Sequence, residues 1–420
     1  MPDPLPDLPD DLLLELVQRQ TFRYFWDFAH PVSGLARERS TAAFGYGTEV
    51  VTTGGSGFGV MAIVVAVERR WIARAEATER LLQILRFLAS ADRHHGVFPH
   101  FLHGETGRTI RFSPQDDGGD LVETAFLIAG LLCARQYFGE GDAAERELRE
   151  RIDRIWHAVE WDWHTRGGRN VLYWHWSPNH GWAMDHEIRG WDEALITYVL
   201  AASSPSHAID AEAYHQGWAR GRTFRNGRSF DGITLPLGRD WGGPLFFAHY
   251  SFMGLDPRGL SDRYADYWQQ NQSHALINRA HCLRNPHGFE GYGAACWGLS
   301  ASDDPDGYRS HAPDNDNGVI SPTAALASFP YTPEHSMQAL RHFHDDLGDR
   351  IWGEYGFKDA FDLTRGWYAE SYLAIDQGPI VVMIENHRSG LLWRLFMSCP
   401  EIHAGLRALE FQSPHLGATV

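Results

Sequence analysis

The sequence predicts an all-α protein, a single-domain (α/α)6 toroid, and three observations lead to this fold class. Apolar residues recur at helical spacing along the 420-residue chain, whereas alternating strand patterns are weak. Helices that are apolar on nearly every side alternate with amphipathic helices. Long segments rich in glycine and tryptophan separate successive helix pairs. An inner ring of enclosed helices, an outer ring of amphipathic ones and long loops at one mouth account for all three.

The enclosed helices lack a polar face and must therefore be surrounded by protein on most sides. They are predicted at 57–71, 121–132, 193–202 and 379–384. The amphipathic helices have one apolar stripe, and they are predicted around 81–88, 148–159 and 337–347. Further helices are predicted near 11–29 and 262–282, and the whole chain is expected to contain eleven or twelve helices, which fits six hairpins.

No linker divides the chain, so residues 1–420 are predicted to form one domain, with 1–10 as a flexible N-terminal extension. The acidic, proline-rich start lacks the positive and apolar regions of a secretory signal. We therefore expect a cytoplasmic protein, or a periplasmic one if the natural precursor is longer.

Charge and composition exclude several classes of partner. With 37 Lys and Arg against 54 Asp and Glu, the net charge is −17, which argues against nucleic acid. No apolar stretch approaches the roughly 20 residues that span a bilayer, so no membrane partner is expected. The cysteines are scattered, and the sequence contains no nucleotide-binding motif or metal-ligand spacing. We therefore expect no cofactor and no metal.

The first cluster of candidate catalytic residues lies in SPQDDGGDLVET, at 113–124. Asp116, Asp117, Asp120 and Glu123 crowd the start of an enclosed helix, and their mutual repulsion can raise a pKa into the range of a proton donor. An Asp-x-x-Glu pair before an apolar run also fits a capping box, with Asp120 as N-cap. Capping does not explain Asp116 and Asp117, so both interpretations stay open.

The second cluster lies at 174–194, in WHWSPNHGWAMDHEIRGWDEA, where tryptophan and histidine are unusually dense. Glu193 opens an enclosed helix and is expected to face the toroid axis. Acids in a first helical turn also simply complement the helix dipole. That alternative does not explain the aromatic residues, and Trp176, Trp182 and His186 are candidates for contacts with a ligand.

Two further segments supply candidate binding residues. The glycine-rich stretch 285–306 carries Glu290, Tyr292, Trp297 and Asp303, although turn formation explains its Asp and Gly equally well. Glu385 lies in an otherwise apolar helix and must be paired, protonated or lining a cavity.

Aromatic loops, several carboxylates and a net acidic chain together favour hydrolysis of a neutral carbohydrate. Cleavage of an acetal needs only two carboxyl groups, one to protonate the leaving oxygen and one to activate water or attack the anomeric carbon. A polysaccharide lyase on the same fold and a non-catalytic sugar-binding protein are more remote alternatives, because the loops hold more acids than bases and the acid clusters are intact.

Several long motifs resemble one known family. TGGSGFGVMAIVVAVERRWI, DDGGDLVETAFLIAGLL, WHWSPNHGWAMDHEIRGWDEALITYVLAASSP and SYLAIDQGPIVVMIENHRSGLLW are similar to the glycoamylase-like endo-β-1,2-glucanases of glycoside hydrolase family 144. The resemblance covers about residues 14–396 and implies an (α/α)6 barrel that inverts the anomeric centre of β-1,2-glucan.

Carried over motif by motif, the resemblance implies that Asp116, Asp120, Glu123 and Glu193 are the catalytically important acids. Glu193 is the best candidate for general acid, Asp120 and Glu123 share the hypothesis of a base, and Asp116 is a tuning or binding residue. Exo-acting hydrolysis and β-1,2-glucosyl transfer remain alternatives to endo cleavage.

Overall fold

The computed structural model describes residues 8–42, 47–139 and 141–417. About 47% of the chain is helical, and the strands are short. The helices are α1 (Asp10–Trp26), α2 (Thr53–Glu68), α3 (Arg74–Ser90), α4 (Leu121–Tyr137), α5 (Ala143–His157), α6 (Leu195–Ser203), α7 (Tyr267–Arg284), α8 (Pro322–Leu326), α9 (Pro333–Arg341), α10 (Gly348–Ile351), α11 (Ala374–Arg388), α12 (Leu391–Met397) and α13 (Pro400–Ala408). Residues 1–7 of the expected N-terminal extension lie outside the described residues.

The strands form small antiparallel ladders within the long loops. They are β1 (Val50–Thr52), β2 (Phe101–His103), β3 (Thr109–Ile110), β4 (Gly119–Asp120), β5 (His175–Trp176), β6 (Ser229–Phe230), β7 (Ile233–Thr234), β8 (Ala301–Asp304), β9 (Gly307–Ser310), β10 (Trp352–Gly353), β11 (Gly356–Phe357), β12 (Phe361–Asp362) and β13 (Trp367–Tyr368). β1, β2 and β3 form one sheet, and the other strands pair in twos. Strands of two to four residues are too short to produce a recognisable alternation.

The enclosed helices form a continuous inner layer. Helix α2 packs between α4 and α11, α4 also contacts α6, and α11 also contacts α8. A short turn at Tyr250–Met253 touches both α6 and α11. Next to it, His249 Nε2 lies 2.9 Å from Ser328 Oγ, just beyond α8. The inner layer therefore continues from α8 through α11, α2, α4 and α6 back towards α8.

Two glycines bring the backbones of α2 and α4 into contact. A Cβ at Gly57 would lie 2.3 Å from Phe126 O, and a Cβ at Gly130 would lie 2.1 Å from Gly57 O. Neither position could hold a larger residue without moving a helix. Gly57, within the segment 54–59, thus serves helix packing, and this segment is not a nucleotide-binding motif.

The amphipathic helices pack outside this layer: α1 lies against α2 and α11, and α3 lies against α5. The helix predicted at 337–347 was wrong at its C-terminal end. Helix α9 ends at Arg341 and is followed by a π-helical turn over His342–Asp346. The wider turn changes the helical register, yet Leu340 and Leu347 are both buried in the core. Within the three described ranges, none of the helices has the length and apolar character needed to cross a bilayer.

Glu385 is held in an internal ion pair. Its side chain is fully buried in α11, and Arg69 Nε and Nη2 donate to its two oxygens over 2.7 and 3.0 Å. Of the three possibilities for this acid, the structure therefore shows pairing. The residue does not belong to the wall of the cavity described below.

Glu385→Gln is expected to destabilise the fold by about 2–3 kcal/mol, because Arg69 would keep its charge without a carboxylate partner. Urea unfolding measures the change. Glu370→Gln is the control, since Glu370 pairs with Lys358 but is 78% exposed and should change stability by less than about 1 kcal/mol. Equal losses for the two variants would contradict this account.

Candidate active site

A cavity of about 410 Å³ opens where the inner helices begin. Thr52 precedes α2, Glu123 lies in the first turn of α4, Glu193 precedes α6, and Ile375 lies in the first turn of α11. The long loops and the N-terminal ends of the inner helices therefore meet at one place, as predicted. The complete lining is Glu38, Arg39, Thr52, His100, Phe101, Phe112, Glu123, Glu193, Phe246, Tyr250, Ala301, Tyr308, Leu373 and Ile375.

Asp120 is the N-cap of α4, as the capping interpretation predicts. Its Oδ1 accepts hydrogen bonds from the backbone N–H of Val122 and Glu123 at 3.1 and 3.0 Å and from Trp174 Nε1 at 2.9 Å. Its Oδ2 lies 3.0 Å from His100 Nδ1. With these partners the 1% exposed Asp120 is fully engaged and is fixed in position.

Glu123 does not complete the capping box. The backbone N–H of Asp120 donates instead to Phe98 O at 2.8 Å, and Glu123 Oε2 accepts from the backbone N–H of Gly54 at 2.8 Å. A Cβ at Gly54 would lie 2.5 Å from that same oxygen, so a larger residue there would displace the Glu123 carboxyl. This hydrogen bond with Gly54 holds the Glu123 carboxyl in the wall of the cavity instead of at the N-terminus of its own helix.

The β4–β5 ladder joins the first two acidic segments of the sequence. Asp120 pairs with His175, and Gly119 pairs with Trp176. His175 Nε2 lies 3.4 Å from Asp116 Oδ2 and 3.7 Å from Asp120 Oδ2. The structure therefore brings Asp116, Asp120 and Glu123 together with the 174–194 loop, which the sequence could not establish.

Glu193 comes from this second segment. Helix α6 begins at Leu195, two residues later than predicted, and in the turn before it Asp192 Oδ1 accepts a hydrogen bond from the backbone N–H of Ala194 at 2.8 Å. The carboxyl of Glu193 is left free of capping and lines the same cavity as Glu123. Ser251 Oγ donates to the backbone carbonyl of Glu193 and so anchors its main chain.

The acids at this site have pKa values that diverge. Burial, together with repulsion from Asp192, raises the pKa of Glu193 well above its ordinary value. Burial and repulsion from Asp120 raise the pKa of Asp116 to about 7. Burial would also raise the pKa of Asp120, but hydrogen bonding from His100 and the proximity of His175 hold it below its ordinary value. The cluster therefore favours the protonated form of Glu193 and the ionised form of Asp120.

His100 supplies the positive charge of the cluster. Burial would lower its pKa, but Glu123 and the hydrogen bond with Asp120 raise it to about 9. Phe112 stacks on the His100 ring at a centroid distance of 4.2 Å. The sequence analysis missed both residues, although they lie in one of the long loops that separate the helix pairs.

The proposed binding residues of the 174–194 loop are absent from the lining of the cavity. His186 stacks on Trp174 at 4.9 Å, and Trp174 in turn donates to Asp120. Trp176 packs against His95, and Trp182 packs against Trp163. These side chains support the loop that carries the acids.

The residues proposed in the 285–306 stretch also lie outside the cavity lining. Trp297 is fully buried, the Tyr292 hydroxyl donates to Asp316 Oδ1 at 2.8 Å, and Glu290 is exposed. Asp303 contacts the cavity through Arg39, a lining residue. The two carboxylate oxygens of Asp303 accept hydrogen bonds from Arg39 Nη1 at 2.9 and 3.1 Å. Arg39, Tyr250 and Tyr308 line the cavity but carry no motif that would have singled them out.

Comparison with known proteins establishes the family. Residues 185–400 match the sequence profile of the Glycoamylase family, described as "Putative glucoamylase". The chain belongs to this glycoamylase-like family, of the type of glycoside hydrolase family 144. The resemblance found in the sequence motifs is thereby confirmed.

Several solved and curated members of the glycoamylase-like family are similar over nearly the whole chain. An endo-β-1,2-glucanase from Chitinophaga pinensis, solved with sophorotriose and glucose, is 56% identical with a TM-score of 0.95, covering 97% of this chain and 100% of that one. A "putative glucoamylase" from Bacteroides uniformis is 58% identical with a TM-score of 0.96, covering 98% and 100%.

A curated exo β-1,2-glucooligosaccharide sophorohydrolase from Parabacteroides distasonis acts at the non-reducing end and is 45% identical. The match covers 96% of this chain and 58% of that protein. The chain thus spans less than two thirds of the length of this curated relative.

Proposed function

We propose that this protein hydrolyses β-1,2-glucosidic bonds in β-1,2-glucan or its oligosaccharides. The observation that carries the proposal is the presence of Glu123 and Glu193 in the wall of one aromatic cavity. The names of the similar proteins, an endo-β-1,2-glucanase and a sophorohydrolase, support the linkage. Five aromatic side chains in the lining suit the apolar faces of a neutral sugar, namely Phe101, Phe112, Phe246, Tyr250 and Tyr308.

In this proposal Glu193 is the general acid. Its raised pKa favours the protonated form, which can donate a proton to the departing glycosidic oxygen. Glu123 is the better candidate for the base, because it reaches the cavity while the hydrogen bonds of Asp120 are already committed. Asp120 is then a positioning residue that orients His100 and the start of α4, and Asp116 tunes the charge of the cluster.

The same proposal includes the finer fold and the stereochemistry. The inner layer of α8, α11, α2, α4 and α6 with amphipathic helices outside it supports an (α/α)6 toroid formed by one catalytic domain. Two carboxyl groups acting from opposite sides on the bond and on a water molecule would invert the anomeric centre. The similar proteins include an endo-acting and an exo-acting enzyme, and we favour the endo mode because the endo-acting relative is covered over its full length.

The test is incubation with linear β-1,2-glucan, followed by chromatography of the products and by NMR of the newly formed anomer. Appearance of β-1,2-oligosaccharides with an inverted reducing end supports the proposal. An intact polymer combined with cleavage of another glycan would reject the substrate. Products longer than the starting oligosaccharides would indicate glucosyl transfer instead of hydrolysis.

Tyr308 and Phe112 are expected to hold the sugar at the mouth of the cavity. Both side chains line the cavity, yet they are 49% and 48% exposed. Tyr308→Ala and Phe112→Ala are each expected to raise KM about 10-fold with little change in kcat, because stacking on a sugar contributes on the order of 1 kcal/mol. Initial-rate kinetics measures this, and Tyr368→Ala, on the β12–β13 hairpin outside the lining, is the control. A fall in kcat alone would contradict a binding role.

A further inference from the structure

His100, Asp116 and Asp120 converge on one point beside the cavity. One potential ligand atom from each residue lies within 4.8 Å of the ligand atoms of the other two. Nitrogen and oxygen atoms bound to a metal at about 2.0–2.2 Å lie about 3–4.4 Å apart, so small side-chain adjustments would suffice. The three residues come from separate places in the sequence, which is why a search for motif spacing did not find them.

The three ligands are held by independent backbone interactions. Asp120 is fixed by its cap bonds and by Trp174, which engage Oδ1 and leave Oδ2 towards His100. Asp116 is held in a tight turn in which its N–H donates to Ser113 O at 3.1 Å. His100 directly precedes β2. A site with fixed donors binds an ion without first ordering its side chains.

Metal binding displaces the proton that gives His100 its positive charge, and the two carboxylates then leave this point negatively charged, which favours a cation. The side chains of Asp116 and Asp120 are 3% and 1% exposed, and Glu123 lies in the adjoining wall. His100, with a 23% exposed side chain, lines the cavity and gives an ion a path from solvent. Nearby, His175 Nε2 lies 3.4 Å from Asp116 Oδ2 and provides a further nitrogen.

We infer that His100, Asp116 and Asp120 bind one divalent transition-metal ion, such as Zn²⁺, and that the bound ion excludes the sugar substrate. One imidazole and two carboxylates suit Zn²⁺ or Co²⁺, whereas Ca²⁺ and Mg²⁺ require six or more oxygen ligands. The exclusion follows because the ion would engage the carboxylates beside the substrate cavity. This second part rests on the proposed function, while the binding itself does not.

The test uses the full chain, with any affinity tag removed, and Zn²⁺ as the probe in isothermal titration calorimetry. We expect one saturable site per chain, weakened at least about 10-fold in His100→Gln and in Asp116→Asn. His95→Gln is the matched control, because His95 Nδ1 lies 2.9 Å from Glu160 Oε2 in a histidine–carboxylate pair that gains no third ligand from the described residues. The described cysteines are all buried and should not compete.

Co²⁺ provides a second readout, since its visible absorption bands gain intensity on four- or five-coordinate binding. These bands should appear with the wild type and His95→Gln but not with the two site variants, whose folding is checked by thermal unfolding. Zn²⁺ should also inhibit glucan hydrolysis, and sophorotriose should weaken Zn²⁺ binding.

Zn²⁺ binding that is absent, or unchanged in His100→Gln and Asp116→Asn, would overturn the inference even if the protein cleaves glucan. Binding at this site by a protein that leaves β-1,2-glucan intact would support the metal site and reject the proposed function. Simultaneous binding of Zn²⁺ and sugar would overturn the exclusion.

Discussion

Glu193→Gln is expected to lower kcat on β-1,2-glucan by a factor of at least about 10², with KM changed far less. Glutamine keeps the shape of the side chain but has no proton to give to the leaving oxygen. Initial rates and oligosaccharide binding, measured on the same preparation, separate the two effects. The buried environment that raises the pKa of Glu193 disfavours a charged carboxylate but not a neutral amide. The Glu193→Gln variant should therefore keep its fold.

The leaving group gives a sharper test of this role. An aryl β-sophoroside with a dinitrophenolate leaving group needs little protonation, so Glu193→Gln should lose far less activity on it than on glucan. Glu187→Gln is the control from the same loop, since Glu187 bonds Tyr173 and Arg189 and is absent from the cavity lining. Equal losses of Glu193→Gln on both substrates would reassign the acid.

Glu123→Gln is expected to lower kcat by about 10²–10⁴-fold on both substrates, because a base that activates water is needed whatever the leaving group. The chain contains its own control motif. Helix α5 begins with Asp142 and Glu145 at the same spacing as Asp120 and Glu123, and Asp142 accepts the N–H of Ala144 and Glu145 at 2.9 and 3.1 Å.

Glu145 is 6% exposed and Glu123 is 7% exposed, so the two glutamates are matched in burial as well as in helix position. Glu145 pairs with Arg74 away from the cavity. Glu145→Gln and Asp142→Asn should therefore lower stability without changing kcat per folded molecule, whereas Asp120→Asn should lower kcat about 10–100-fold through misplacement of its neighbours. Similar kinetic losses in both helices would show that the effect is structural.

The sequence predicted the helices well because their signal is local. The apolar residues at 57–71 and 121–132 show by themselves that these helices are enclosed by protein. Asp120 before an apolar run likewise predicts the N-cap of a helix. Glu193 and Glu123 could also be identified from the sequence, since both lie where a long loop enters an inner helix. Family motifs added their roles, which no periodicity provides.

The remaining residues depend on contacts between distant parts of the chain. Tyr308 reaches the cavity from a hairpin, and His100 becomes notable only through its hydrogen bond with Asp120. Glu385 looked equally suitable for binding and for pairing until the position of Arg69 was known. Such pairs form only in the folded protein and cannot be recognised from the spacing of residues in the sequence.

The most direct test of the central claim is the crystal structure of Glu193→Gln with a β-1,2-gluco-oligosaccharide bound. The account predicts that the scissile glycosidic oxygen lies about 3 Å from the side-chain amide of residue 193. It also predicts a water molecule on the opposite face of the sugar ring, next to Glu123, with the two side chains about 6.5–9.5 Å apart. A sugar bound outside this cavity, or a glycosidic oxygen out of reach of residue 193, would contradict it.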